Sequence, residues 1–413
     1  MAAATLDVDC ACIISIDGKR GCGMKKTWLL TSMMSVVLAA CGGGQSAQQS
    51  NTNTGASAAS NVAASNLPQT KELNYYDWSD YVDPATVSAF EKANGVKVNQ
   101  AFYDSNETLE AKVLTGKSGY DLVVPSLAFV TRQIKAGAYQ PIDKSQIPNY
   151  QNIDPKLLEL LDKVDPGNKY VVPYFWGINT VGINPDQVKK ALGTDTLPEN
   201  AWDLVFKPEY ANKLKSCGIS FLDSPSELFP LLMNYLGKDP NSNESADIKA
   251  AADLLNSVAP DVKRYSSSGY IDDLANGNLC VAIGYNGDFH IAKKRAEDAK
   301  NGVKVQALVP KQGVGVWIDS FAIPKDATNV LNALKYINWT LDPKTAATNG
   351  NFVTYAPASK PARELMEKDY INDPSIFPTD ETMKNSFVML PKSPDAMKLT
   401  VRLFQQIKAG QYK

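Results

Sequence analysis

Histidine is almost absent: His290 is the single one in 413 residues. A two-histidine metal site is therefore excluded, and a Ser-His-Asp triad has one residue through which it could run. Net charge is almost absent too, with 42 Lys and Arg against 44 Asp and Glu, a formal −2. A nucleic-acid binder would carry a basic face or stripe, so that class is set aside, and any charge preference must come from a local pocket. There is no C-x-x-C pair, no H-E-x-x-H and no G-x-S-x-G elbow. Gly116-Lys117-Ser118 has the ending of a phosphate-binding loop, but Ala111 stands where its first glycine should be. Nothing in the chain asks for a cofactor.

Cysteine is scarce where the chain can fold. Cys10, Cys12, Cys22 and Cys41 crowd the first tenth, leaving Cys217 and Cys280 for the rest. Met24-Lys25-Lys26, an apolar run from Trp28 to Ala40 and then Cys41 read as a secretory signal. The run is too short to span a membrane. Leu38-Ala39-Ala40-Cys41 resembles the bacterial lipobox, in which Cys41 would be lipidated and become the mature N-terminus. The alternative is an ordinary cleaved signal with a chance cysteine. Residues 1–23 then read as an extension upstream of the true start, and 24–40 as the lipoprotein signal peptide. Residues 41–68 are rich in Gly, Ser, Ala, Asn and Gln, a composition that cannot bury enough surface to order itself. They read as a tether. In an exported chain, Cys217 and Cys280 suggest one disulfide, the alternative being two buried thiols.

The 413 residues are enough for two lobes with cores of their own. From Leu73 onward strands alternate with helices, which predicts βα units and a largely parallel sheet. Asp83-Pro84 starts a helix that Gly95 ends. Asp104-Ser105-Asn106-Glu107 reads as a capping box with Asp104 as cap, and Ser224-Pro225-Ser226-Glu227 as another. Lys169–Ile183 reads as two extended segments, the second carrying the chain into another lobe. Val314–Ile323 is a strand that returns. Two lobes joined by extended crossings make a cleft that closes like a hinge, and an exported, tethered chain with so little catalytic apparatus is more often a receptor than an enzyme.

The candidate site residues are acids among aromatic rings. Trp78-Ser79-Asp80-Tyr81 follows a strand, and the carboxyl ends of strands are where open α/β sheets hold ligands. A carboxylate supplies charge, and each ring face adds roughly 0.5–2 kcal/mol of cation–π attraction. The competing account makes Trp78 and Tyr81 core and Asp80 a turn residue. Asp319 lies inside an apolar strand beside Trp317 and Phe321. A lone buried carboxylate costs several kcal/mol, so it needs either an internal Lys or Arg or a bound cation. Asp288 after Tyr285 has a competing account as an N-cap, and Glu227 as part of its capping box. Ser126 and Ser267 either bond a ligand or cap turns. Tyr355 either lines a cleft or packs. The reading expects these acids to lack a basic partner within the chain. An exported glycoside hydrolase using two of the carboxylates is the rival enzyme class.

Taken together, Tyr76-Asp77-Trp78-Ser79-Asp80-Tyr81, Asp121-Leu122-Val123-Val124-Pro125-Ser126, Lys215-Ser216-Cys217-Gly218, Leu236-Gly237-Lys238-Asp239-Pro240-Asn241-Ser242 and Asp272-Asp273-Leu274-Ala275-Asn276-Gly277 resemble the periplasmic putrescine-binding proteins of bacterial polyamine ABC transporters. The resemblance runs from about Leu73 to the C-terminus. It implies a type II periplasmic-binding-protein fold, α/β and two-lobed, each lobe a mixed sheet flanked by helices. The lobes would be 69–175 with 316–375, and 176–315 with 376–413. It implies a polyamine in the cleft, an ABC permease as partner, a periplasmic location and no catalysis; together with the lipobox, the expectation is a monomer held to the membrane through Cys41. It implies a ligand set of Trp78, Ser79, Asp80, Tyr81, Ser126, Glu227, Ser267, Tyr285, Asp288, Trp317, Asp319 and Tyr355, and it supports a Cys217–Cys280 disulfide. Two departures matter. Tyr285 stands where tryptophan is more usual, and Trp317 resembles what spermidine-preferring relatives carry. Asp80 and Asp288 fit the shorter diamine.

Overall fold

The computed structural model describes residues 70–413; the upstream extension, the signal peptide, the tether and Cys41 lie outside the described residues. Among the described residues eleven strands form one sheet: β1 (Glu72–Trp78), β2 (Lys97–Tyr103), β3 (Leu122–Val123), β4 (Val171–Ile183), β5 (Ile219–Phe221), β6 (Arg264–Tyr265), β7 (Val281–Tyr285), β8 (Gln306–Leu308), β9 (Gly315–Ala322), β10 (Ala356–Pro357) and β11 (Phe387–Val388). The main order is β2-β1-β3-β9-β4-β7-β5-β6.

The outer pairs are parallel, as the βα pattern predicts: β1 with β2 and β3, and β5 with β6 and β7. The middle is not. β4 runs antiparallel to β9, β7, β8 and β10, and β9 antiparallel to β3. The largely parallel sheet is thus corrected to a mixed one. The two extended segments at Lys169–Ile183 are one strand of 13 residues, with a register shift between Pro173 and Phe175. β9 and then β8 follow one edge of β4, while β10 and then β7 follow the other.

Most buried apolar side chains gather in two large clusters. One draws on Leu73–Phe175 and Trp317–Ala358, the other on Ile178–Val316 and Met389–Ile407. The two long strands pass from one to the other: Phe175 belongs to the first and Ile178 to the second, and β9 changes between Val316 and Trp317. Gly177 sits at this crossing because nothing larger fits. A Cβ there would lie 2.4 Å from both Asn286 Oδ1 and a Trp317 ring carbon.

Local signals set several boundaries. Asp83 caps the helix Pro84–Asn94, accepting from the Ala85 N–H, and Gly95 ends it in the left-handed region at φ 63°. The next helix, Asn106–Val113, is capped by Ser105 rather than Asp104. The helix after β7 starts at Asn286, so Asp288 lies in its first turn and is not the N-cap. Ser224 stands at the N-cap of Pro225–Tyr235 without a side-chain capping bond. Its hydroxyl meets Ser226 Oγ at 3.0 Å, so the capping box read there does not form. Cys217 and Cys280 are joined in a disulfide.

Candidate functional site

A cavity of about 330 Å³ opens between the two apolar clusters, within the size range usual for small-molecule sites. All twelve residues singled out from the sequence line it. The strands explain why residues so far apart in the chain meet. Trp78 ends β1 and Tyr103 ends the neighbouring β2 in parallel register, Tyr285 ends β7, and Trp317 and Asp319 share one face of β9. Asp80 sits in the turn after β1 at φ 56°, a left-handed conformation that Asp tolerates better than most residues.

The walls are aromatic. Trp317 meets Tyr355 edge-on at 5.0 Å between ring centres and Tyr285 edge-on at 6.1 Å. Trp78 packs on Tyr103 at 4.6 Å and is tethered by its indole N–H to the Val124 carbonyl at 3.0 Å. Tyr81 is held edge-on by Tyr174, Phe175 and Tyr355.

Six acids line this space, and hydroxyl groups hold three of them: Asp319, Asp288 and Glu227. Asp319 is 6% exposed; its Oδ1 accepts from Ser126 Oγ at 2.5 Å and its Oδ2 from the Tyr81 hydroxyl at 2.8 Å. Asp288 accepts from the Tyr355 hydroxyl at 2.5 Å and the Tyr270 hydroxyl at 2.6 Å. Glu227 accepts from the Tyr285 hydroxyl at 2.8 Å. Burial pushes the Asp319 and Asp288 carboxyls up to about 6, and that of Glu227 to about 7, the hydroxyl bonds, and for Asp288 also the Arg295 charge, offsetting only part of it. The competing accounts for Asp319, Asp288 and Glu227 therefore fail: none has a Lys or Arg partner among the described residues, and none acts as a helix cap. Ser126 does occupy an N-cap position, yet its hydroxyl makes no capping bond.

Asp80 is different. Arg295 Nη2 lies 3.5 Å from it, and Arg295 Nη1 lies 2.8 Å from Asp272. The expectation that every acid of the site lacks an internal basic partner is corrected here. The contact is at the mouth of the cavity, where the Asp80 and Asp272 side chains are 70% and 69% exposed, and a surface ion pair of this kind contributes only about 0–1 kcal/mol.

The sequence reading missed Tyr103, Asp104, Ile271, Asp272, Ile291 and Arg295, which also line the cavity. Two signals would have found some of them. Tyr103-Asp104 ends β2 as Trp78-Ser79 ends β1, and Ile291 and Arg295 follow Asp288 at helical spacings of three and seven. The clamp on Asp288 from Tyr270 leaves no comparable trace in the sequence.

The single histidine builds no nucleophilic triad. His290 Nε2 lies 2.8 Å from Ser375 Oγ and 3.5 Å from Asp373 Oδ2. A triad needs serine and carboxylate on opposite ring nitrogens, whereas here both face the same one and Ser375 donates directly to Asp373 at 2.7 Å. None of the three lines the cavity. Among the described residues, no group of three or more His, Cys, Asp and Glu is arranged to hold a metal ion. What the geometry offers is a slot with acid groups along it and ring faces between them, suited to a thin organic cation.

The model of a family described as bacterial extracellular solute-binding protein matches residues 85–379. The chain is 47% identical over 340 residues to the putrescine-binding periplasmic protein SpuD of Pseudomonas aeruginosa (strain UCBPP-PA14), covering 82% of this chain and 92% of that protein. It is 45% identical over 341 residues to the putrescine-binding periplasmic protein PotF of Escherichia coli K12, with the same two coverages, 82% and 92%. Among solved structures it resembles a putative spermidine/putrescine ABC transporter protein from Listeria monocytogenes, with a TM-score of 0.72 and 31% identity, over 82% of this chain and 99% of that one.

Proposed function

Because the chain belongs to the bacterial extracellular solute-binding proteins, with their two-lobed type II periplasmic-binding-protein fold, we propose that it is a receptor that captures a polyamine, putrescine first, and delivers it to an ABC permease. One observation carries the reading: of the acids lining one aromatic-walled cavity, Asp319, Asp288 and Glu227 have hydroxyl groups and, among the described residues, no Lys or Arg as hydrogen-bond or ion-pair partners. The SpuD and PotF relatives, whose names give putrescine as the ligand, support the choice of diamine.

In this reading the methylene chain lies between Trp317, Tyr285, Tyr355 and Trp78. Asp319 with Ser126 and Asp80 with Ser79 take one ammonium. Asp288 takes the other, with Glu227 and Ser267 reaching it through water. Charge-assisted hydrogen bonds are the stronger kind, and a ligand so held reaches about −8 kcal/mol, a micromolar Kd. The lobes are residues 69–175 with 316–375 and 176–315 with 376–413, turning about β4 and β9. Closure presents the form that the permease accepts, and no covalent chemistry follows. The protein is periplasmic, anchored by a lipid on Cys41, and works as a monomer.

Calorimetry with putrescine, cadaverine, spermidine and an amino acid tests this. Micromolar or tighter binding of at least one polyamine, with the ligand recovered unchanged, is the expected result. Heat from none of the amines overturns the reading. Turnover of an amine or a sugar would instead favour an exported enzyme. A polyamine-sensing lipoprotein not tied to import shares the same site; uptake of labelled putrescine by cells with and without the protein separates it from a transport receptor.

A further inference from the structure

Asp77 is a buried acid that the mechanism above does not use. It precedes Trp78 in β1 and is 0% exposed. Its Oδ1 accepts the Trp78 backbone N–H at 2.8 Å, and its Oδ2 has no hydrogen-bond partner among the described residues. It does not line the cavity. The titratable groups close enough to sense its charge come from every element around it. They are Tyr75 on its own strand, Tyr103 on β2, Tyr174 on β4, Asp319 on β9 and Tyr336 on the helix Val330–Thr340. None is a cation. The Tyr103 and Tyr174 hydroxyls donate elsewhere, to the Val124 and Tyr81 carbonyls at 2.6 and 3.2 Å. The Tyr75 and Tyr336 hydroxyls, like Asp77 Oδ2, are buried without a partner.

An unpaired carboxylate so enclosed is costly when ionised. Burial pushes the Asp77 carboxyl up to about 7; the nearby Tyr75 hydroxyl, although it makes no hydrogen bond to Asp77, and the Trp78 amide offset part of this, and the Asp319 charge adds the smallest share of the rise. Asp319 is also where the receptor reading seats an ammonium.

We propose that Asp77 is a non-contacting charge element of the site, which holds a proton in the ligand-free receptor and releases it when an ammonium group is seated against Asp319. The step balances simply. The Asp77 O–H bond breaks, its proton passes to bulk solvent, and no bond forms between Asp77 and the ligand. The complex thus carries one more negative charge against the cation than the contacting residues alone provide. The inference rests on the polyamine reading.

The test is calorimetry with putrescine on wild type and Asp77→Asn, at pH 7 in buffers of different ionisation enthalpy, so that the heat reports protons released. If the ligand lowers the Asp77 pKa from about 7 by roughly one unit, wild type releases about 0.4 proton more than the variant. The same linkage makes the affinity gain from pH 6 to pH 8 about fivefold larger in wild type. Equal proton counts, with putrescine still bound by both proteins, overturn the proposal and leave the receptor reading standing. No heat from putrescine, cadaverine or spermidine with wild type overturns both. Should Asp77→Asn fail to fold, the side-chain carboxyl 13C shift of Asp77 in wild type at pH 7 reads the same proton: it must move toward the ionised value on adding putrescine, and a shift that does not move refutes the proposal.

Discussion

Replacing Asp319 by Asn should make the free protein more stable and the receptor worse, two effects of opposite sign from one atom. Burial holds the Asp319 carboxyl at about 6 against an ordinary 3.8, a rise that already includes the opposing Ser126 and Tyr81 bonds. A rise of about two units costs the ionised form about 3 kcal/mol. The sign follows from proton binding. Between pH 4 and 6 the folded protein binds this proton more tightly than the unfolded chain, so stability falls as pH rises, and the full cost is present above about pH 7. Asp319→Asn removes that cost, raising the ligand-free Tm by a few degrees at pH 7.5, and the gain should fade toward pH 4. Binding moves the other way. Removing one partner of a buried, hydrogen-bonded charge pair costs about 2–5 kcal/mol, a loss of roughly 30- to 4,000-fold. Thermal unfolding without ligand at pH 7.5 and 4.5, with putrescine calorimetry at pH 7.5, reads both. A variant less stable than wild type at pH 7.5, or one binding putrescine within threefold of wild type, would refute the reasoning.

Two further substitutions separate donor, wall and scaffold. Tyr285→Phe keeps the ring but deletes the hydroxyl that Glu227 accepts, a loss of about 1–3 kcal/mol for a buried acceptor. Glu227, already raised by burial to about 7, should then hold its proton more tightly. Putrescine binding should weaken about tenfold at pH 7 and recover in part by pH 8.5 in a calorimetric series. Replacing Cys217 and Cys280 together by Ala removes a crosslink between residues 63 apart, worth about 4 kcal/mol on the chain-entropy account. The unfolding midpoint in urea should drop accordingly, while putrescine affinity stays within about twofold, because neither cysteine lines the cavity.

What can be read from a sequence depends on what sets each feature. Asp319 was legible because an acid inside an apolar strand is a conflict that something must resolve. Its partners were not, because Ser126 and Tyr81 reach it from 193 and 238 positions away in the chain. At Ser224-Pro225-Ser226-Glu227 the local signal pointed the wrong way. The pattern favours a capping box, but Glu227 takes the Tyr285 hydroxyl from β7 and the box does not form. The strand directions failed for a related reason. Each βα step correctly predicted a parallel neighbour at the two ends of the sheet, whereas the central pairing is fixed by β4 and β9, whose contact no local pattern encodes. Arg295 was overlooked because a basic residue on an exposed helix face is ordinary, and only its distance to Asp80 sets it apart.

The choice of partner for each acid is itself informative. A Lys or Arg beside Asp319 would have offset the cost of burial, but a cation entering the cavity would then have to displace it and leave a buried charge behind. A phenol or serine hydroxyl orients the carboxylate without neutralising it, so the site keeps its charge deficit and its geometry together. Arg295 at Asp80 obeys the same logic from the other side. There the acid is mostly exposed, the ion pair contributes little, and an arriving ammonium can replace the guanidinium, which keeps Asp272 as a partner 2.8 Å away. Internal cations are therefore tolerated at the mouth, where exchange is cheap, and excluded from the floor, where it is not. Moving that boundary inward, by placing a lysine within reach of Asp319, should abolish capture while leaving the fold intact.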